Sequence, residues 1–163
     1  MPGEPPPESG NPSPPARLRV LFLCTGNSCR SQMAEGWARH LHGDRIDARS
    51  AGTDPHGLDP RAVKIMAEAG VDISGHKSKG VDVFREQHID LVVTVCDSAR
   101  ETCPVFPAAA RTLHVGFEDP PRLAAEASGP DAAREAYRRV RDEIRAFVEA
   151  LPTLMSTAPQ RAP

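Results

Sequence analysis

Continuously apolar runs that alternate with helix-periodic segments constrain the fold of this chain more than any other feature. Residues 18–24 (LRVLFLC) and 90–95 (DLVVTV) are apolar almost throughout, as is typical of strands buried on both faces of a sheet. Weaker strands are predicted over residues 46–51 and 111–115. Such strands, when helices separate them, form parallel sheets covered by helices.

The segments between these strands carry helical signals. Helices are predicted over residues 28–41, 60–69 and 131–151, and a short helical or loop segment after the third strand ends at Pro104 and Pro107. The resulting order, β-α-β-α-β-α-β-α, predicts an α/β fold with a four-stranded parallel sheet between layers of helices. In such sheets the functional site lies outside the carboxyl ends of the strands, where Cys24 and Cys96 are expected.

Proline usage sets the limits of the folded domain. Seven of the 17 prolines lie in the first 15 residues, so residues 1–16 are predicted to form a disordered arm. Residues 152–163 read as a similar disordered tail, which leaves one domain over residues 17–151. A chain of 163 residues with 39% hydrophobic residues can build a sizeable core.

Composition excludes several classes of function. The net charge of −2 and pI near 6.3 give no sign of a nucleic-acid or membrane partner, and no apolar run approaches the length of a bilayer span. The N-terminus lacks the pattern of a signal peptide, so we expect a cytoplasmic protein, and we expect a monomer. Four cysteines in such a chain are more often catalytic or metal-binding than structural.

The first strand ends at a cysteine that is followed by a loop of small residues. Cys24 and Arg30 bracket this loop in a C-x-x-x-x-x-R spacing at the start of a predicted helix. Successive backbone N–H groups in such a loop form an anion nest, and an arginine fork matches two oxygens of a tetrahedral anion. The positive electrostatic field of the helix N-terminus and the nearby arginine also favours the thiolate form of the cysteine. The alternative is a buried strand-end cysteine with an incidental arginine.

Three segments together resemble the low-molecular-weight phosphotyrosine phosphatase superfamily. They are CTGNSCRSQMAEG, SAGTDPHGLDPRAV and DISGHKSK, in that order. The resemblance implies the strand order 2-1-3-4, Cys24 as nucleophile and a structural role for Cys29. It also implies an oxyanion site formed by Thr25, Gly26, Asn27, Ser28, Cys29, Arg30 and Ser31. Two chemistries occur in the superfamily, namely hydrolysis of phosphate monoesters and reduction of arsenate.

The segment VTVCDSARETCPVFP resembles the redox segment of thioredoxin-coupled arsenate reductases, with Cys96 and Cys103 at that family's spacing. A phosphatase has no use for this pair, whereas a reductase delivers two electrons by ending as a disulfide. Two alternatives stay open for the pair, namely inert packing and half of a zinc site. Zinc is disfavoured because no Cys/His ligand spacing accompanies the pair.

The resemblance implies a relay that needs no cofactor. Cys24 attacks arsenate, Asp119 protonates the departing oxygen, and Cys96 attacks the Cys24 sulfur as arsenite leaves. Cys103 then attacks Cys96, and thioredoxin reduces the Cys96–Cys103 disulfide. For Asp119, the alternative is a simple Asp-Pro turn.

Geometry bears on the two disulfides differently. Neighbouring first and third strands lie about 4.8 Å apart, within the reach of a Cys24–Cys96 disulfide. If Cys96 and Cys103 bracket a helix, they lie roughly 10 Å apart, beyond disulfide range. That helix must therefore unwind for the second disulfide to form.

Two further features refine the substrate and the ions involved. Pro121, Arg122 and Leu123 follow Asp119 where phosphatases of this fold carry aromatic residues, which favours a small inorganic anion. Some of these reductases bind potassium at residues matching Asn27, Glu35 and Ser50 with an acidic residue where this chain has Lys79. We therefore expect no metal here and no response to potassium, unless Lys79 is simply a solvated lysine.

The leading hypothesis is therefore a thioredoxin-dependent arsenate reductase. The second is a phosphatase that acts on phosphotyrosine or small phosphate esters. The third is a non-enzymatic protein that binds oxyanions or metalloids and regulates a partner, a function that would survive Cys24→Ser.

Overall fold

The computed structural model describes residues 17–96 and 111–157. The strands are β1 (Leu18–Cys24), β2 (Ile46–Gly52), β3 (Leu91–Thr94) and β4 (Arg111–His114). The helices are α1 (Arg30–His42), α2 (Pro60–Glu68), α3 (Pro120–Glu126) and α4 (Pro130–Thr157), with a 3-10 turn at Val81–Phe84. The predictions for the N-terminal arm and for Cys103 lie outside the described residues.

The strands form one parallel sheet in the order β2-β1-β3-β4, which confirms the predicted fold class and strand order. Cys24 pairs with Gly52 at the end of β2, and Leu23 pairs with Thr94 at the end of β3. All strands are parallel, so their carboxyl ends meet at one edge. Residues that follow neighbouring strands therefore lie close together there.

The centre of the sheet is buried on both faces, as the continuous apolar runs indicate. In β1 every residue from Val20 onward is buried, and β3 is buried throughout. Helix α1 covers one face with Met33 and Trp37, and the Trp37 indole N–H donates to the carbonyl of Arg141 in α4 at 3.2 Å. This contact joins α1, the helix that begins at the Cys24 loop, to α4.

The C-terminal helix corrects the predicted domain limit, because it continues past Leu151 to Thr157. Pro152 has no N–H and leaves the carbonyl of Val148 without its helical donor. His42 Nε2 donates to that carbonyl at 2.8 Å, and Arg111 Nη1 donates to the carbonyl of Met155 at 3.0 Å. Tertiary hydrogen bonds thus carry the helix through the proline, and the predicted disordered tail is wrong for residues 152–157.

Helix α3 was not expected from the sequence. Asp119 is its N-cap residue and Pro120 occupies the first helical position, where proline is well tolerated because no N–H is needed there. The pair of prolines in FEDPP therefore starts a short helix. Across the described ranges, no helix has the length and apolar character needed to cross a bilayer.

Candidate active site

Cys24 lies at the end of β1 with its sulfur in a ring of polar groups. The whole residue Cys24 is 3% exposed. The Sγ atom lies 2.8 Å from Ser31 Oγ and accepts a hydrogen bond from the backbone N–H of Asn27 at 3.2 Å. Asn27 Nδ2 in turn donates to Ser31 Oγ at 2.9 Å. The sulfur is thus positioned by the loop that follows it and by the first turn of α1.

The N-terminus of α1 faces the same loop. The helix begins at Arg30, and its N-cap residue Cys29 makes no side-chain hydrogen bond to the helix end. Since residues 30–33 include no acidic side chain, the positive end of the helix dipole is left to act on the loop. An anion bound above Cys24 would therefore be stabilised by both the helix and the loop.

The carbonyl groups of the loop point away from Cys24 and are held by an outer layer of donors. The backbone donors come from residues 53–59: Thr53 N to Cys24 O at 3.3 Å, Asp54 N to Thr25 O at 2.8 Å, His56 N to Gly26 O at 2.9 Å, and Asp59 N to Ser28 O at 3.0 Å. In a trans peptide the N–H points opposite to the C=O. Fixing the carbonyls outward therefore turns the N–H groups inward, as an anion nest requires.

Two positions show why this close packing needs these residue types. A Cβ at Gly52 would lie 2.6 Å from the carbonyl oxygen of Thr25 and 2.8 Å from the nitrogen of Asn27. Only glycine therefore lets the loop lie against the end of β2. Asn27 adopts a left-handed conformation with φ of 46°, which asparagine tolerates better than most residues.

Arg30 joins the loop to the opposite side of the site. Its Nη1 donates to the carbonyl of Phe117 at 2.9 Å, and its Nη2 lies 3.6 Å from Asp119 Oδ1. The guanidinium is therefore positioned between the Cys24 loop and the segment that follows β4. It can present its planar fork to an oxyanion from this position.

Cys29 lies in the same loop as Cys24 but in a different environment. It is 4% exposed, and burial raises the pKa of its thiol well above the usual value, with Asp59, Cys24 and Asp119 adding to the rise and Arg30 opposing it. A thiol held in its neutral form is a poor nucleophile. Cys29 is therefore suited to packing, in line with the structural role that the sequence indicated.

Cys96 follows β3 and lies on the far side of Thr25. It is 5% exposed, and its Sγ lies 3.5 Å from Thr25 Oγ1. The cavity that Cys96 lines adjoins the cavity that Cys24 lines, and Thr25, Arg30 and Asp119 belong to both. The structure therefore brings Cys24, Arg30, Cys96 and Asp119 together, whereas Cys103 lies outside the described residues.

His56 is a site residue that sequence reasoning missed. The Cys24 cavity is lined by Cys24, Thr25, Gly26, Ser28, Cys29, Arg30, His56, Asp119 and Pro121. His56 is the one member of this set with an aromatic ring, and a Cβ at Gly26 would lie 2.6 Å from its Cδ2 atom. Its position in the motif segment after β2, the strand that neighbours β1, was the available signal.

The potassium site that the resemblance implies can be tested against the residues present. Glu35 Oε1 and Ser50 Oγ are buried and have no hydrogen-bond partner among the described residues, as an ion site would leave them. However, Lys79 Nζ lies 3.8 Å from Glu35 Oε1, and His76 Nδ1 and Arg39 Nη2 lie 3.1 and 3.5 Å from Glu35 Oε2.

These nitrogen groups already surround the carboxylate, and burial lowers the pKa of Lys79 while Glu35 opposes that shift. The residues therefore do not fit a bound potassium ion. Across residues 17–96 and 111–157, no cluster of three or more His, Cys, Asp and Glu side chains is placed to hold a metal.

Comparison with known proteins adds to this geometry. Residues 19–159 match the family model described as low molecular weight phosphotyrosine protein phosphatase. An arsenate reductase from Halalkalibacterium halodurans is 51% identical over 126 residues, which cover 77% of this chain and 88% of that protein.

Two solved structures are similar over most of the chain. One, described as an arsenate reductase in the intermediate state, has a TM-score of 0.68 at 31% identity and covers 85% of this chain and 98% of that one. The other is a thioredoxin-dependent arsenate reductase from Corynebacterium glutamicum, with a TM-score of 0.59 at 28% identity and coverage of 85% of this chain and 64% of that one.

Proposed function

This chain belongs to the low molecular weight phosphotyrosine protein phosphatase family, and on that premise we propose that it reduces arsenate to arsenite with electrons from thioredoxin. The observation that carries the proposal is the placement of Cys24 and Cys96 on adjoining cavities that share Thr25, Arg30 and Asp119. A hydrolase of this family needs one thiolate, whereas a reductase needs a second thiol close to the first.

The first step is capture of the oxyanion and attack by sulfur. Arsenate binds above Cys24, with its oxygens on the loop N–H groups, the N-terminus of α1 and the Arg30 fork. The Cys24 thiolate attacks arsenic, and one oxygen leaves as water after proton transfer from Asp119. The position of Asp119, which lines both the Cys24 cavity and the Cys96 cavity, supports this role.

The second step is the reduction itself. The Cys96 thiolate attacks the Cys24 sulfur, the sulfur–arsenic bond breaks, and its electron pair leaves with arsenic as arsenite. Arsenic gains two electrons and the two thiols lose two, so that a Cys24–Cys96 disulfide remains. Support for this step comes from the adjacency of β1 and β3 and from the 3.5 Å contact between Cys96 Sγ and Thr25 Oγ1.

The third step regenerates the nucleophile. Cys103 attacks Cys96, frees Cys24 and leaves a Cys96–Cys103 disulfide for thioredoxin to reduce. The spacing of these cysteines in the sequence and the thioredoxin-dependent reductase among the structural neighbours support this step. A thiol relay needs a compartment that keeps cysteines reduced, so we place the enzyme in the cytoplasm. The proposed enzyme is also a monomer that needs no cofactor.

The experiment that tests the proposal follows NADPH oxidation in the presence of arsenate, thioredoxin and thioredoxin reductase. We expect turnover by the wild type and its loss in Cys24→Ser, Cys96→Ser and Cys103→Ser. The matched control is Cys29→Ser, because it removes a thiol from the same loop without removing a relay member. Turnover that survives Cys96→Ser or Cys103→Ser would contradict the relay.

A second function is favoured by the family itself, whose description names phosphotyrosine phosphatase. The nucleophile, the N–H nest and Arg30 serve a phosphate ester as well as arsenate. The same variants separate the two functions, because hydrolysis of p-nitrophenyl phosphate needs Cys24 but neither Cys96 nor Cys103. Hydrolysis by both of those variants, with no turnover of arsenate by the wild type, would establish the phosphatase instead.

A further inference from the structure

The carbonyl of Asn27 is held in a way that differs from the other carbonyls of the Cys24 loop. The carbonyls on either side, those of Gly26 and Ser28, accept from backbone N–H groups of residues 56 and 59. The carbonyl of Asn27 instead accepts from a side chain, Gln32 Nε2, at 3.1 Å. Among the described residues no second donor reaches this oxygen.

Gln32 is buried and fixed at both ends of its amide. It is fully buried, and besides the Asn27 carbonyl its Nε2 lies 3.0 Å from Asn27 Oδ1 and 3.0 Å from the carbonyl oxygen of Lys77, so that these three acceptors share the two N–H groups of the amide. Its Oε1 lies 3.0 Å from His76 Nδ1. A side chain held by this many partners has one available position, so it acts as a rigid support.

The consequence for the site follows from the planarity of the peptide between Asn27 and Ser28. Its C=O points to Gln32, so its N–H, which belongs to Ser28, points the opposite way. Ser28 is a lining residue of the Cys24 cavity. The left-handed φ of 46° at Asn27 is uncommon even for asparagine, which tolerates it better than most residues, so hydrogen bonds from outside the loop help to keep this peptide in place.

We propose that Gln32 is a positioning residue for oxyanion binding, which aims the Ser28 N–H at the bound anion by holding the Asn27 carbonyl on the opposite side. The inference rests on the proposed function only in taking the loop to bind a tetrahedral oxyanion, and it holds equally for arsenate and for phosphate esters. Gln32 itself does not contact the anion.

The test measures binding of inorganic sulfate by calorimetry, since sulfate is a tetrahedral dianion whose charge is constant between mildly acidic and alkaline pH. Gln32→Met keeps the length of the side chain and removes the donor. We expect its dissociation constant to rise by about tenfold or more, the loss of one oriented hydrogen bond to a charged group. The midpoint of thermal unfolding is recorded for each variant to show that the protein is folded.

Ser78→Ala is the matched control, because Ser78 Oγ donates to the Gly26 carbonyl at 3.0 Å. That carbonyl also accepts from His56 N at 2.9 Å and so keeps a donor when Ser78 is changed. We expect a change in sulfate affinity of less than about twofold. Equal losses in Gln32→Met and Ser78→Ala would overturn the inference, since loop support in general would then explain both.

Gln32→Glu supplies a readout that a purely structural role would not move. The introduced carboxyl can donate to the Asn27 carbonyl only when it is protonated. Sulfate affinity relative to wild type is therefore expected to be lowest at high pH and to approach wild type as the pH falls. A ratio that does not change with pH in a folded Gln32→Glu protein would overturn the inference.

The same experiment separates this inference from the proposed function. If arsenate is not reduced but the sulfate results are as expected, the positioning role of Gln32 stands without the reductase. If the wild type reduces arsenate and Gln32→Met binds sulfate within about twofold of wild type, the positioning role fails alone. Failure of the wild type to bind sulfate would overturn the inference, because the Ser28 N–H would then have no anion to hold.

Discussion

The two walls of the Cys24 cavity are held in different ways. The loop of residues 24–30, the binding wall, has its carbonyls fixed by donors from residues 53–59 and from Gln32, and Cys24 is 3% exposed. The facing segment, residues 117–121, forms the acid wall and contributes Asp119 and Pro121 to the cavity lining. It is joined to the loop by Arg30 through one hydrogen bond and one ion pair, and the Asp119 side chain is 40% exposed.

The difference shows how a single site can bind one group tightly and still pass through several chemical steps. Binding an oxyanion requires N–H groups that are already in place, because reorganising them would cost free energy at each turnover. Proton transfer and attack by a second sulfur require approach from the open side. Affinity is therefore expected to reside in the binding wall, which also carries the nucleophile Cys24, and proton donation in the acid wall, and the following predictions test that division.

Among the changes that compare the two walls, the largest effect is expected for Asp119→Asn. This change preserves the shape of the side chain but removes the proton donor, so turnover of arsenate should fall by about 10² to 10⁴, the usual contribution of a general acid. Sulfate affinity should stay within about threefold of wild type, because Asp119 carries no donor of the nest. Steady-state kinetics and calorimetry on the same preparation measure both quantities.

Two results would contradict this division between the binding wall and the acid wall. One is an equal loss of turnover and of sulfate affinity, which would mean that the acid wall is part of the binding site. The other is an unchanged turnover, which would return Asp119 to the role of a turn and N-cap residue. Glu118→Gln is the matched control, since it removes the neighbouring carboxylate.

A smaller effect is expected for Cys29, which lies in the binding wall but has a different role from Cys24. Because burial raises the pKa of Cys29, iodoacetamide at neutral pH should label Cys24 well before Cys29, as read by peptide mass spectrometry. Cys29→Ala should lower the free energy of unfolding by about 1 kcal/mol and leave turnover within about twofold of wild type. Early labelling of Cys29 would contradict its assignment as a packing residue.

The smallest effect is expected for potassium. Since Lys79, His76 and Arg39 surround Glu35 behind the binding wall, turnover should be the same in potassium and sodium at equal ionic strength. Lys79→Gln removes the ammonium group, so it is the variant in which a response to potassium is expected. A clear gain in the wild-type rate with potassium would show that Lys79 leaves the site open to the ion.

The parts of this molecule that the sequence predicted are those set by local pattern. Continuous apolar runs identified the buried strands, and the C-x-x-x-x-x-R spacing identified Cys24, Arg30 and the loop between them. The resemblance implied that the first and third strands are neighbours, which places Cys96 at the same edge of the sheet as Cys24. These features depend on residues close together in the chain or on the order of the elements.

The parts that were missed depend on contacts between distant residues. Helix α4 passes Pro152 because His42 donates to the carbonyl of Val148, a pairing with no sequence signal. Residues 53–59 lie in the motif segment SAGTDPHGLDPRAV, but they support the Cys24 loop through backbone donors, which are independent of side-chain identity, so the motif did not indicate this support. Gln32 reads as an ordinary helical residue until the position of the Asn27 carbonyl is known.

The most direct test of the central claim is to map disulfides in Cys103→Ser after a single exposure to arsenate, by peptide mass spectrometry under conditions that block free thiols. The account predicts a Cys24–Cys96 disulfide in amounts that match the arsenite formed, with Cys29 free and no disulfide when arsenate is omitted. Arsenite formed while Cys24 and Cys96 both remain free would contradict it.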